Sequence, residues 1–201
     1  MSNYNTMSLK KLIAEWGESK VRTALSSFCS LNKDVEKFIR HDAVEFAKQH
    51  IAQTFLVFVS SEGKDILVGY YTLTMKMLHV ERTDMSSNLF RRIKKFGTYD
   101  ADKENCDIAS PLIAHISKNY NADHNKLITG DKLLGLACDD IKRAQAIVGG
   151  KTVYLDCEDK DKLKQFYQNN GFTEFRKRSL NVEERDTLEG HYLIQMIKYL
   201  D

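Results

Sequence analysis

Few side chains in this sequence have both the type and the placing to do chemistry. The four cysteines, Cys29, Cys106, Cys138 and Cys157, stand apart with no CxxC spacing. Zinc sites want closely spaced ligand pairs, so these read as reduced, structural or half-buried thiols, and no metal is expected. His115 lies in the apolar run Ile108 to Ser117, where an imidazole is either a working base or a hydrogen-bonded core residue. Asp156 and Glu158 close a β-branched run and read as solvated strand-end charges. Tyr167 sits on an amphipathic segment; its phenol is protonated at neutral pH and can give up that proton only to a strong base. The basic clusters Arg91-Arg92-Ile93-Lys94-Lys95 and Arg176-Lys177-Arg178 could grip phosphates, but such runs are usually solvated faces. Asp100, Asp102, Glu104 and Asp107 follow the first cluster and weaken its field.

The elements that must position these groups can be read from periodicity. A chain of 201 residues, 42% hydrophobic and 29% charged, suits one globular domain over residues 1–201. The formal charge of +2 excludes a globally basic, histone-like binder. Met1 to Lys10 lacks the apolar core of a secretion signal and no run reaches the length of a membrane span, so a cytoplasmic protein is expected. Ser8 to Trp16 is expected as a short helix or turn. A longer helix follows Asn32, a good N-cap, with Asp34 and Glu36 in its first turn and Val35, Phe38, Ile39, Phe46 and Ala47 facing a core.

Thr54 to Val59 and Ile66 to Met77 predict a hairpin, and Ser86 to Phe96 a short helix burying Leu89, Ile93 and Phe96. Ile108 to Ser117 is expected as a strand. Gly130 to Val148 predicts a helix with Leu133, Leu134, Ala137, Ile141, Ala144 and Val148 as its buried stripe, ended by Gly149-Gly150. Thr152 to Cys157 is a strand, Lys160 to Asn169 a helix, and Phe172 to Phe175 and Tyr192 to Tyr199 two last strands. Strands alternating with helices late in the chain, plus hairpins, make a mixed α/β sheet.

The stretch Gly149 to Phe172 ends in Phe166-Tyr167-x-x-x-Gly171-Phe172, with a strand before it and a helix leading into the glycine. This resembles the late strand and helix of GNAT N-acetyltransferases. Upstream, Phe28-Cys29-Ser30-Leu31-Asn32, Thr54-Phe55-Leu56-Val57 and Val68-Gly69-Tyr70-Tyr71-Thr72-Leu73 look like the GNAT branch holding the toxins of toxin–antitoxin pairs, which acetylate the amino acid on a tRNA. The resemblance covers roughly residues 28 to 175. It implies the GNAT acyltransferase fold, a central mixed twisted sheet flanked by helices, and acetyl-CoA as co-substrate.

By the same resemblance Tyr167 is the general acid for the departing thiolate. Backbone groups of Ile116, Ser117 and Lys118 would pair with the pantetheine arm on a strand that splays from its neighbour. The pyrophosphate loop maps onto Asn125-Lys126-Leu127-Ile128-Thr129-Gly130, with Asp131 and Lys132 beginning the helix. Such a loop holds phosphate on the N–H groups of a helix start. The sequence departs from the family here: of the usual glycines only Gly130 remains, and Lys160 stands where many relatives have asparagine.

The implied reaction is acetyl transfer to a primary amine, aminoacyl-tRNA being the best specific acceptor. The alternatives are a small amine, a peptide N-terminus or a protein lysine, or a GNAT-shaped binding module that has lost catalysis. Implied partners are tRNA, an acid-rich antitoxin and a second copy in a homodimer.

Overall fold

The computed structural model of the chain describes residues 4–61, 63–182, 184–186, 188 and 190–200. The strands are β1 (Tyr4–Ser8), β2 (Gln53–Ser61), β3 (Lys64–Glu81), β4 (Thr98–Asp100), β5 (Asn105–Lys118), β6 (Thr152–Glu158), β7 (Thr173–Ser179) and β8 (Tyr192–Tyr199). They form a mixed sheet in the order β1-β2-β3-β5-β6-β8-β7, with β4 hung on β5. The helices are α1 (Leu9–Trp16), α2 (Glu18–Ser26), α3 (Lys33–Lys37), α4 (Ala43–Lys48), α5 (Ser87–Ile93), α6 (Gly130–Val148) and α7 (Asp161–Asn169). By compactness the chain divides into two units, residues 1–74 with 114–137, and residues 75–113 with 138–201.

In the first unit, β1 runs antiparallel to β2, and β2 to β3 with a bulge between Val57 and Phe58. The core is sealed by helices. Ser8 caps α1, accepting from Lys11 N at 3.3 Å, and Gly17, at φ 82°, ends it with a bond to Ile13 O. Asn32 caps α3 as expected, its Oδ1 taking Val35 N at 3.1 Å. The helix then widens to a π-turn over Phe38–Asp42 before resuming as α4. Leu9, Leu12, Val21, Leu25, Phe28, Phe38, Ile39, Ala43, Val44 and Ala47 bury themselves together with Leu56, Phe58 and Tyr70. Val35 and Phe46 only flank this core.

One buried side chain ties three segments of this unit together. Asn119, 3% exposed, accepts from Cys29 N at 3.2 Å and from Asn121 N at 3.1 Å, and donates to Leu67 O at 2.9 Å. Gly69 allows a further close approach, since a Cβ there would meet Ser117 O at 2.9 Å and Leu133 Cδ2 at 3.1 Å.

In the second unit, β6 pairs antiparallel with β8 and β8 with β7, while Leu112 of β5 stands opposite Tyr154 of β6 in parallel. The buried hydroxyls of Ser110 and Thr152 meet at 2.9 Å. Leu78, Val80, Phe90, Ile93, Cys106, Ile108, Tyr154, Phe175 and Ile197 make its core. Phe96, expected inside, is 40% exposed, because α5 ends at Ile93 and the 3-10 turn Lys94–Phe96 carries the ring outward. The α6 stripe also departs from expectation: Ala144 and Val148 are exposed. Gln145 is buried in their place, its Nε2 donating to Thr152 O at 2.7 Å. Arg92 stacks over the Tyr199 ring at 3.7 Å, which takes it out of the solvated cluster.

Two substitutions test these contacts. Gly97→Ala would set a methyl against Ile108 Cγ2, Asp107 O and Cys106 Sγ, all on β5. It should lower stability by about 1–3 kcal/mol, as overpacking does, read as a lower urea midpoint at unchanged slope. Asn119→Ala strands buried partners on three segments and should cost about 2 kcal/mol or more.

Candidate functional site

In the first unit the end of β5 and the start of α6 are joined by side chains. Ser117 Oγ lies 2.9 Å from Ser30 Oγ and donates to Lys118 O at 2.7 Å. Lys118 Nζ donates to Asn125 O at 3.1 Å, so Ile116-Ser117-Lys118 and the Asn125–Thr129 loop come together. The loop leaves β5 through a 3-10 stretch, Asn121–Leu127, in which Ala122 and Asp123 take φ of 47° and 62°. Leu127 O is held by the Tyr4 hydroxyl at 2.9 Å, and Lys126 pairs with Asp123 at 2.8 Å. Thr129 caps α6, its Oγ1 accepting Lys132 N at 3.1 Å.

Ile128 is the residue whose bulk the sequence places in the phosphate loop. Its side chain is 2% exposed and turned into the core. Its bulk is therefore kept out of the open rim, and Gly130, Asp131 and Lys132 start a nineteen-residue helix behind it. A helix start of this kind carries N–H groups and a positive dipole end toward an anion. Lys132 N is already taken by Thr129 Oγ1, so a pyrophosphate here would have to be met by the residues before it.

His115 precedes the Ile116–Lys118 segment and faces α3. Its ring stacks on Phe38, centroids 3.8 Å apart and planes 10° apart. Nε2 is 3.8 Å from Asp34 Oδ2, beyond hydrogen-bond reach. Nδ1 is buried and has no hydrogen-bond partner among the described residues. Burial pulls the imidazole pKa down to about 4, against the opposing pull of the Asp34 carboxylate, so the ring is neutral at pH 7. Asp34 is the residue that sequence reasoning passed over at this spot, because a first-turn acid is already explained by the helix dipole. Tyr70 closes the far side, donating to Val35 O at 2.6 Å.

Tyr167 and Lys160 belong to the second unit. Tyr167 is buried on α7, edge-on to Phe166 at 5.0 Å and to Phe172 at 5.9 Å. Gly171, at φ 80°, turns the chain so that Phe172 N reaches back to Tyr167 O at 3.0 Å. The Phe-Tyr-x-x-x-Gly-Phe pattern is thus a helix end that buries its tyrosine. Burial, with a smaller effect of Cys157, pushes the phenol well above its ordinary range. Burial first, then Asp156, pushes the Cys157 thiol to about 12. Lys160 opens α7 and pairs with Glu158 at 2.9 Å. Asp156 is not the solvated strand-end charge expected: its carboxylate binds Arg178 Nε at 2.7 Å and Gln195 Nε2 at 3.0 Å. Arg178 also grips Glu184 with two nitrogens, at 2.9 and 2.7 Å.

The depressed His115 makes stability depend on pH. The unfolded imidazole binds its proton near 6.5 and the folded one near 4, so the unfolded chain holds more protons between those values. Stability should fall by about 3 kcal/mol as pH drops through that window. His115→Phe should remove this component, visible as the difference between two pH series of urea midpoints.

No family profile and no curated protein matches the sequence. Solved structures do match. AtaT complexed with acetyl-methionyl-tRNAfMet superposes with a TM-score of 0.61 at 16% identity, covering 96% of this chain and 94% of that one. A tyrosine-to-phenylalanine mutant of KacT gives 0.62 at 14% identity, covering 96% and 93%. AtaTR bound with acetyl-CoA gives 0.55 at 14% identity, covering 96% and 92%. The chain has the mixed α/β fold of these GNAT toxins, as its Phe-Tyr-x-x-x-Gly-Phe helix end led us to expect.

Proposed function

We propose that the chain is an acetyl-CoA-dependent N-acetyltransferase acting on a primary amine, with aminoacyl-tRNA as the acceptor. The observation that carries this reading is the shared fold over 96% of the chain with AtaT bound to acetyl-methionyl-tRNAfMet. The AtaTR structure with acetyl-CoA supports the same donor here. Acetyl-CoA supplies a thioester-activated acetyl group. Backbone groups of Ile116, Ser117 and Lys118 are assigned to its pantetheine arm. The segment Asn125, Lys126, Leu127, Ile128, Thr129, Gly130, Asp131 and Lys132 is assigned to its pyrophosphate, and Lys160 to its outer edge.

Tyr167 keeps its proton at any physiological pH because burial opposes the phenolate. That makes it a weaker acid than the departing thiol, so the general-acid role rests on the resemblance and requires the bound thioester to bring the phenol back toward its ordinary range. An α-amine beside an ester has a far lower pKa than a lysine, so a much larger share of it arrives unprotonated and it needs little help from a base. An antitoxin partner belongs to the same reading, since AtaT is also known bound to the C-terminus of the antitoxin AtaR; a homodimer rests on the resemblance alone. The competing reading, a binding module without catalysis, rests on the lost loop glycines; the inward-turned Ile128 side chain removes its main support.

Calorimetry with acetyl-CoA tests the donor. Saturable binding is expected for the wild type and for Tyr167→Phe alike, and silence at millimolar concentration would sink the enzyme reading. With a charged-tRNA pool, Tyr167→Phe should transfer acetyl groups roughly 10²–10⁴-fold more slowly, the usual worth of a general acid. Acceptor binding that is insensitive to salt would exclude tRNA, whose phosphate contacts release counterions.

A further inference from the structure

A primary amine has two N–H groups to give and one lone pair to react, so a site for it needs two acceptors set to one side. Asp34 Oδ2 and His115 Nε2 have that arrangement in the first unit. They are 3.8 Å apart, too far to bond each other. A nitrogen placed about 2.9 Å from both forms an ordinary hydrogen bond to each, at an angle its two N–H bonds can meet.

The surroundings hold the pair in place. The imidazole cannot swing freely, because it is stacked on Phe38 at 3.8 Å. Phe38 is fixed in turn by the start of the π-turn and by Phe46, edge-on at 5.4 Å. Asn32 anchors the turn that carries Asp34. The pair is partly open to solvent: the Asp34 side chain is 32% exposed and that of His115 19%. His115 Nδ1, by contrast, is sealed and finds no partner among the described residues. A merely structural histidine at this place is poorly explained, because phenylalanine would stack equally well and leave no orphan polar atom.

We propose that Asp34 and His115 form the cradle for the acceptor's primary amine, Oδ2 and Nε2 each taking one N–H and leaving the nitrogen lone pair as its one free direction. The ring's single proton then resides on Nδ1. A neutral ring is what this role requires, since a proton on Nε2 would repel the amine. Asp34 supplies the charged acceptor, whose hydrogen bond to the amine is the stronger of the two. The assignment rests on the acetyl-transfer reading for the identity of the acceptor, but the cradle can be tested without catalysis.

The experiment uses the full chain labelled with ¹⁵N-histidine and methionine methyl ester as the probe, an α-amine beside an ester. The His115 resonances are identified by their loss in His115→Phe. Addition of the probe should shift Nε2 of His115, and the same ester lacking the amine should not. Asp34→Asn and His115→Phe should each weaken acceptor binding roughly tenfold, the worth of one charge-assisted hydrogen bond. In acetyl transfer this appears as a raised acceptor KM with acetyl-CoA binding unchanged. Thermal melts of both variants identify any that fail to fold, and His115→Phe should melt no lower than the wild type. If the wild type acetylates the probe while Nε2 stays unmoved, or if the deaminated ester shifts it equally, the cradle is overturned and acetyl transfer stands. If Nε2 responds to the amine but acetyl-CoA does not bind, the cradle stands and the transferase reading falls. Silence in both removes both.

Discussion

Asn119 is the point on which the first unit hangs. Its one amide group replaces three missing backbone partners, so that the segment before α3, the start of β3 and the turn leaving β5 meet with their polar groups satisfied. Buried polar atoms left unpaired each cost more than a made hydrogen bond returns. Everything the candidate site needs follows from that meeting. Ser30 reaches Ser117, Lys118 reaches Asn125, and Asn32 begins the helix that carries Asp34. Gly69 acts alongside, since only hydrogen lets β3 come this near Ser117 O and Leu133. The second unit has an analogous device in Arg178, whose guanidinium joins Asp156 to Glu184. That pairing holds the Glu184 carboxyl below its usual range, the Arg178 bond being the largest cause.

Much of this was legible before any coordinates. Asn32 with Asp34 and Glu36 announces a helix start, and Gly130 to Val148 is bounded by its own glycines, so both appear where expected. Tyr167 could be found because its signature is local: a helix, a left-handed glycine and a returning aromatic are one continuous stretch. What stayed hidden depends on distant partners. β1 is polar and short, and only its pairing with Val59 to Phe55 makes it a strand. α2 has few apolar residues, and Val21 and Leu25 are its only buried ones. The outward Ala144 and the inward Gln145 reflect a carbonyl, Thr152 O, that no periodicity announces. Asn119 and the Asp34–His115 pair lie 81 or more residues from a partner or between two elements, which a single sequence does not display.

The phosphate loop shows why a motif and its function can separate. Family patterns write glycine where bulk would block an anion. Here isoleucine stands at that place, yet the whole residue is buried and its bulk is not presented outward. A residue's volume matters only in the direction it is spent. The same logic applies within the two basic clusters: Arg92 lies on Tyr199, and Arg178 is engaged by carboxylates on two sides, so neither is spent on solvent.

The π-turn at Phe38–Asp42 has a consequence for how this helix tolerates change. A regular helix advances about 100° per residue, and a π-turn absorbs one extra residue without passing that rotation on. Removing a single residue from the turn would restore the ordinary spiral and keep both halves helical. Lys33–Lys37 and Ala43–Lys48 would keep their facing, because the turn never passed that rotation on. Asp34 would stay beside His115, and Ala43, Val44 and Ala47 would stay in the core. The turn is therefore the one place in this segment where a residue can be lost without changing which side chain looks at His115.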